Sequence, residues 1–141
     1  MTRKHDPADN MQIAKALLYL VDATDQKVFS QVVQLCKTFK SQLFVLFVLE
    51  ESRISKLASL THEKITSIRQ RIEEEGWEML YLIEDEAVDQ GVRTSLHLEE
   101  GLTMKVIKTY VESYDINMVM LKRREETKKI FVSSLVPVIG L

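Results

Sequence analysis

The sequence predicts one α/β domain, a doubly wound sheet of parallel strands with helices on both faces. Short apolar runs alternate along the chain with longer segments of helical spacing, and strands separated by helices pair in parallel through right-handed crossovers. The 141 residues, 45% hydrophobic and 28% charged, suit a single core and are too few for two ordinary domains. No internal repeat, Pro-rich linker or low-complexity tract interrupts the pattern.

The first half of the chain predicts a β-α-β unit. Residues 14–21 and 42–49 are nearly continuous apolar runs, typical of strands covered on both faces. Residues 24–40 between them have helical spacing, with Thr24 or Asp25 available to cap the helix start. The apolar stripe of this helix consists of Val28, Val32, Leu35 and Phe39.

A long helix and a half-exposed strand are predicted next. Residues 61–90 repeat apolar positions at three- and four-residue spacing, and Gly91 stands where a C-cap glycine belongs. Gly76, in the middle of this pattern, predicts a close approach to the sheet or a bend. Residues 92–98 alternate between apolar and polar, as in an edge strand.

The last third of the chain predicts a helix at 102–114, a fourth strand at 116–121 and a possible fifth at 135–141. The connection between the last two strands is close to the ~12-residue minimum for a parallel crossover. Residues 125–132 have room for two helical turns at most, so the last crossover helix is shortened or missing. Pro137 places the fifth strand at an edge, or itself at the strand's start.

The composition argues against a nucleic-acid-binding, membrane-bound or disulfide-linked protein. A net charge of −2 gives no overall attraction to nucleic acid or to an anionic membrane, and no stretch approaches the ~20 apolar residues of a membrane span. Residues 1–12 have no apolar signal segment and predict a disordered lead before a domain at 13–141. Cys36 is the one cysteine and cannot form an internal disulfide, which suits a reducing compartment. We expect a cytoplasmic protein.

Three segments are predicted to meet where such folds bind ligands, at the carboxyl ends of the strands. They are residues 22–25, the end of the second strand near Val48, and residues 122–125. The carboxylate of Asp22 could accept hydrogen bonds from a ribose hydroxyl or an adenine amino group, or it could cap a helix or turn. Residues 122–125 are Lys-Arg-Arg-Glu, where glycines would let main chain approach a phosphate.

The chain resembles the UspA family of universal stress proteins in three stretches: residues 16–25 (ALLYLVDATD), 42–50 (QLFVLFVLE) and 92–121 (VRTSLHLEEGLTMKVIKTYVESYDINMVML). In the third stretch the family has a strand, Glu-Gly, a helix, an acidic residue and an apolar strand. The resemblance extends over about residues 14–141. It implies the strand order 3-2-1-4-5 and a homodimer formed through the last strand.

The resemblance also implies how the ligand site has changed. ATP-binding members follow the fourth strand with glycine, two residues, glycine, nine residues, and glycine with Ser or Thr. Here the two leading glycines fall on Lys122 and Glu125, and the last pair corresponds best to Ser133 and Ser134, with the spacing one residue short. The phosphate half of the family's site is therefore not expected to work.

The resemblance implies that the adenosine half of the family's site is better preserved in this sequence than the phosphate half. Asp22 matches the family's adenine-side aspartate, and Val48 lies near the backbone that would face the base. The candidate nucleotide site, which could also be vestigial, therefore comprises Asp22, Val48, Lys122, Arg123, Ser133 and Ser134.

Two functions follow from these observations. The favoured one is a dimeric regulatory or interaction domain without enzymatic activity, in which tight ATP binding is lost or weakened and no cofactor is needed. The alternative is a sensor of ATP or AMP, with at most slow hydrolysis, in which the cations at 122–124 and 128–129 replace backbone donors. The same cations could instead form a solvated loop that Glu125 and Glu126 neutralise.

No catalytic or metal residue is predicted. The three histidines, His5, His62 and His97, have no second ligand at metal spacing. The run of glutamates at 73–75 lies on a predicted helix, where adjacent positions point in different directions, so a solvated face is expected.

Overall fold

The protein contains one five-stranded sheet, in which every strand is parallel to its neighbours and the order is β3-β2-β1-β4-β5. This computed structural model describes residues 13–124 and 127–141. The predicted fold class and strand order are confirmed. The predicted disordered lead, residues 1–12, lies outside the described residues, as do Glu125 and Glu126.

Each strand except the last is followed by helical structure: a 3-10 helix and an α-helix after the first strand, two α-helices after the second, and one α-helix after each of the next two. In the first half the elements are β1 (Lys15–Leu20), the 3-10 helix (Ala23–Val28), α1 (Phe29–Phe39), β2 (Gln42–Leu49), α2 (Glu51–Thr61) and α3 (Ile65–Asp89). In the second half they are β3 (Thr94–Glu100), α4 (Thr103–Tyr114), β4 (Met118–Leu121), α5 (Lys128–Ser133) and β5 (Val138–Gly140).

The core consists of two apolar layers, one on each face of the sheet. Helices α1, α2 and α3 cover one face and α4 and α5 the other. Successive residues of β1 alternate between the layers, so that Leu18 packs on the first face and Leu17 and Tyr19 on the second. Because β1 and β2 are buried on both faces, their sequences are continuously apolar, as the pattern predicted.

One helix was not predicted. The chain continues from β2 directly into α2, which buries only Ile54 and Ala58. It ends at His62, which has the left-handed φ of 57°, and α3 begins three residues later. The single helix predicted over 61–90 is therefore the second of two helices that pack against the same face of the sheet.

The glycine and edge-strand predictions are confirmed. A Cβ at Gly76 would lie 2.7 Å from Phe47 Cδ1, so α3 does approach the sheet closely here. Gly91, with φ of 73°, follows the end of α3. β3 forms one edge of the sheet, although it starts and ends two residues later than predicted, at Thr94 and Glu100.

The last crossover is as short as predicted. Helix α5 has six residues, and β5 has three and forms the other edge of the sheet, just after Pro137. None of the described helices combines the length and apolar character needed to cross a membrane.

Candidate functional site

The candidate site is the crevice at the carboxyl ends of β1 and β4. Strand β1 lies between β2 and β4. The chain leaves β1 toward the α1 side of the sheet and leaves β4 toward the α5 side. Diverging connections of this kind open a crevice at the point where strand order reverses, and this is where open α/β sheets bind ligands.

Asp22 lies in this crevice, where it caps the 3-10 helix after β1. The Thr24 backbone N–H donates to Asp22 Oδ1 at 2.9 Å, and Arg53 Nη2 donates to Asp22 Oδ2 at 3.0 Å. Burial pushes the pKa of Asp22 up, but the bonds from Thr24 and Arg53 and the charge of Arg124 outweigh it, so the pKa is below its usual value. Both oxygens of this carboxylate already have protein partners.

Asp25 is the buried anchor of the crevice, with 1% of the residue exposed. Its Oδ2 accepts from the backbone N–H groups of Val21, at 2.7 Å, and Asp22, at 3.1 Å. The same carboxylate accepts a hydrogen bond from Arg124 Nη2 through Oδ1. A charge this deeply buried requires such partners, since desolvation is costly otherwise.

Arg124 connects the end of β4 to the end of β1. Besides its ion pair with Asp25, its Nη2 lies 3.3 Å from Thr24 Oγ1 and 3.8 Å from Asp22 Oδ1. Only 14% of its side chain is exposed. We call Arg124, Asp25, Asp22 and Arg53 the switch-point ion network, and it closes the crevice between the two strands.

A second polar group lies beside this network. Glu50, at the end of β2, accepts hydrogen bonds from the Thr103 hydroxyl and, at 3.3 Å, from the Tyr19 hydroxyl. Burial raises the pKa of Tyr19 above its usual value. The space left between the two groups is a cavity of 140 Å³. Its polar lining consists of Tyr19, Glu50, Arg53, Thr103, Arg124, Thr127 and Lys129.

The remaining predicted residues of the β2 and β4 ends do not join this network. Val48 is 1% exposed and packs in the core on the α4 side. Lys122 is half-buried and Arg123 is exposed. The Arg123 backbone N–H donates to the carbonyl of Leu141 at 3.0 Å. The first part of the loop after β4 therefore uses this main-chain donor to extend the pairing with β5.

Ser133 and Ser134 lie on another surface. Ser133 is the last residue of α5 and Ser134 follows it, and both line a groove between α4 and α5. Neither serine lines the crevice cavity, although the two spaces share Met104, Lys129 and Ile130. The Ser134 hydroxyl donates to the Val136 carbonyl at 2.8 Å. The structure thus brings Asp22 together with the loop after β4 but not with this serine pair.

Three residues of the network were not among the predicted site residues: Arg53, Asp25 and Arg124. Arg53 lies on α2, the helix that was not predicted. Asp25 belonged to the convergent segment 22–25 but was given only the role of a possible helix cap, which is part of what its side chain does. Arg124 was one of the cations in the basic segment predicted to meet the other two. Its charge indicated that it could pair with an acidic group, but the sequence spacing did not show that its side chain turns toward Asp25.

Among residues 13–124 and 127–141, no group of three or more His, Cys, Asp or Glu side chains is arranged to hold a metal ion. The thiol of Cys36 is buried, and burial raises its pKa to about 12. A thiol in this state is not a nucleophile at neutral pH.

The sheet order and the crevice place the protein among the doubly wound α/β folds, in which ligands commonly bind where the strand order reverses. No protein-family model matches the sequence, and no curated protein matches it either. Solved structures do match the fold.

A universal stress protein from Burkholderia pseudomallei superposes with a TM-score of 0.75 at 12% identity, over 92% of this chain and 96% of that one. The universal stress protein from Archaeoglobus fulgidus in complex with dAMP gives 0.67 at 12% identity, over 92% and 98%. A universal stress protein in complex with cAMP gives 0.62 at 6% identity, over 92% and 97%. The chain has the fold of the universal stress proteins, as the resemblance predicted.

Proposed function

We propose that this protein is a cytoplasmic regulatory or interaction domain of universal stress protein type, homodimeric and without tight ATP binding. The observation that carries the proposal is the position of Arg124. Its guanidinium group crosses the crevice and pairs with the buried carboxylate of Asp25. An entering nucleotide would have to displace this ion pair and leave a buried charge without its partner.

The size of the crevice supports the same conclusion. The cavity beside the switch-point ion network measures 140 Å³, whereas pockets that enclose a drug-sized ligand measure about 300–1,000 Å³. Asp22, the residue matched to the adenine-side aspartate, already accepts bonds through both oxygens. A nucleotide base would compete with Arg53 and Thr24 for them.

Thermal unfolding with and without ATP, ADP, AMP and cAMP tests the proposal. A ligand present at 100 times its Kd stabilises the fold by about 2.7 kcal/mol, which corresponds to a rise of several degrees in Tm for a domain of this size. With nucleotide at about 2 mM, a Kd below roughly 20 µM would therefore be visible. We expect no rise in Tm with ATP.

A nucleotide-binding universal stress protein measured in parallel is the positive control. A rise of several degrees with ATP, followed by a structure with ATP seated against residues 122–124, would overturn the proposal. Chelating Mg²⁺ in a matched titration separates a nucleotide effect from an effect of the metal.

The second candidate is a sensor of AMP-like nucleotides, and a specific feature favours it. An open depression of 650 Å³ adjoins the loop after β4 and is lined by Arg123, Arg124, Lys128, Phe131 and Val132. Guanidinium groups bind phosphate well and an aromatic ring can stack on a base. Two of the solved structures that share this fold are complexes with dAMP and with cAMP.

Arg123→Glu separates the two candidates. Arg123 is exposed and lies outside the switch-point ion network, so the variant should fold normally. If AMP raises the Tm of the wild-type protein and the variant loses that rise, the sensor is supported. Release of phosphate from ATP, measured on the same samples, would test for the slow hydrolysis that the sensor allows.

A further inference from the structure

An apolar groove of 740 Å³ lies between α4 and α5. Apolar side chains from both helices and from the turn after α5 line it. They are Met104, Ile107, Val111, Ile130, Val132 and Leu135. Val132 is 86% exposed and Leu135 is 84% exposed. We call this surface the α4–α5 groove.

The groove is open because the last crossover helix is short. Helix α4 has 12 residues and is about 18 Å long, whereas α5 has six and is about 9 Å long. Helix α5 therefore leaves part of the α4 face uncovered. Contiguous exposed apolar surface of this kind marks interaction sites in soluble proteins.

Lysines stand on both rims of the groove. Lys105 and Lys108 project from the α4 rim, and Lys128 and Lys129 belong to the α5 rim. Glu112 is the acidic side chain in the lining, and its carboxylate lies 4.0 Å from Lys108 Nζ. In a chain of net charge −2, this surface is locally basic.

We propose that the α4–α5 groove binds an acidic amphipathic α-helix of a partner protein. A helix of this kind places apolar residues at i, i+3, i+4 and i+7 into a groove and presents carboxylates along both flanks. Two basic rims with an apolar floor between them complement that pattern. A fatty acid has one carboxylate and would pair with one rim only.

This inference rests on the proposed interaction function and names the chemistry of the partner. Lys105 and Lys108 line the groove but neither the crevice cavity nor the depression beside Arg123, whereas Val132 also lines that depression. The variants at these two lysines therefore report on the groove separately from nucleotide binding. ATP binding in the crevice, with peptide binding to the groove unchanged, would overturn the proposed function and leave this inference standing.

The probe is a fluorescein-labelled synthetic peptide of about 16 residues, with Leu at i, i+3, i+4 and i+7 and Glu on both flanks. One control peptide has the same composition in shuffled order, so that its apolar residues share no face. A second replaces Glu by Lys. Fluorescence anisotropy should show saturable binding of the first peptide, with both controls at least about tenfold weaker.

Matched protein variants locate the site. Val132→Asp places a charge on the apolar lining of the groove and should weaken binding at least about tenfold, which equals roughly 1.4 kcal/mol. Val88→Asp, at a residue 66% exposed on α3 on the other side of the sheet, is its control and should change nothing. Circular dichroism spectra of both variants should match that of the wild-type protein, which checks that they fold.

The rim is tested in the same way. Lys105→Glu combined with Lys108→Glu should weaken binding and reduce its dependence on salt, because exposed charge pairs are screened by ions. Lys56→Glu, at an exposed position of α2, is the charge control.

Several results would overturn the proposal. They include absence of saturable binding at about 1 mM peptide, equal binding of the shuffled peptide, equal weakening by Val88→Asp, and selective binding of oleate in place of the peptide. Conversion of a wild-type dimer to a monomer by Val132→Asp would also contradict it, since a second copy of the chain would then occupy the groove.

Discussion

Arg124 uses a side chain where a nucleotide-binding loop would expose main chain. Its guanidinium group reaches from the end of β4 to the buried carboxylate of Asp25 at the end of β1. A planar group with several donors suits this position, because it can bond to Thr24 and lie close to Asp22 as well. The cation thereby holds together two strand ends that a ligand would otherwise separate.

Removing this cation should destabilise the fold. In Arg124→Ala the carboxylate of Asp25, 2% exposed, keeps its two backbone donors and loses its counter-charge. Breaking a fully buried pair from one side costs about 3–5 kcal/mol, and the remaining donors should reduce this to roughly 2–3 kcal/mol. Urea unfolding monitored by circular dichroism measures the difference.

Arg123→Ala is the matched control for this substitution. Arg123 is the exposed neighbour of Arg124, and surface substitutions usually change stability by less than about 0.5 kcal/mol. Equal losses in the two variants would show that Arg124 contributes no more than an exposed arginine. The switch-point ion network would then have no special role.

The residues of the crevice were only partly predictable from sequence. Asp22 could be placed at the end of the first strand, because an apolar run that stops at a carboxylate is a local signal. The partners of Asp22 could not be predicted in this way. Arg53 lies 31 residues later in the sequence, and Arg124 lies near the far end of the chain. A long charged side chain turns toward the buried charge with which it pairs. The spacing of residues along the sequence does not show where that charge lies.

Local sequence signals also explain which elements were predicted, and dependence on a distant contact explains why one helix was not. Strands β1 and β2 are continuously apolar because both of their faces are covered, so their sequences identify them. Helix α2 buries only Ile54 and Ala58, and its serines at 52, 55 and 59 have weak helix preference. Packing beside α3 stabilises this helix. The sequence of α2 alone does not reveal this tertiary contact.

Helix α3 depends on a glycine for its distance from the sheet. A Cβ at Gly76 would lie 2.7 Å from Phe47 Cδ1 and 3.0 Å from Leu98 Cδ1. Gly76→Ala gains about 1 kcal/mol of helix preference, but overpacking a core typically costs about 1–3 kcal/mol. We expect a net loss of roughly 1 kcal/mol in the free energy of unfolding.

A second substitution shows whether the clash is the cause. Phe47→Leu removes the ring that the new methyl group would meet, so Gly76→Ala should be neutral or stabilising in that background. The coupling energy between the two substitutions isolates their contact. If Gly76→Ala stabilised the protein in both backgrounds, the close approach of α3 would not limit the choice of residue.

Across the whole molecule, the sheet has two exposed edges of different character. β3 is seven residues long and β5 is three. Unpaired edges attract other strands, and a symmetric dimer satisfies one edge of each copy. In β5 the groups that face β4 include the Pro137 carbonyl and the Leu141 N–H. Since alternate residues of a parallel strand face opposite sides, the N–H groups of Val138 and Gly140 point outward.

The proposed dimer therefore predicts a specific effect of one substitution. Val138→Pro removes an N–H group that points away from β4 and would bond to the partner in the proposed dimer. Because no donor to β4 is lost, the variant should be a monomer that remains folded. Thr94→Pro makes the same change at the β3 edge, where Leu43 bonds to the neighbouring Arg93 carbonyl, and should leave the dimer intact. Sedimentation equilibrium at about 100 µM protein, well above the Kd of a stable dimer, measures the mass of each form. A monomeric wild-type protein, or a dimer that survives Val138→Pro and dissociates with Thr94→Pro, would place the interface elsewhere.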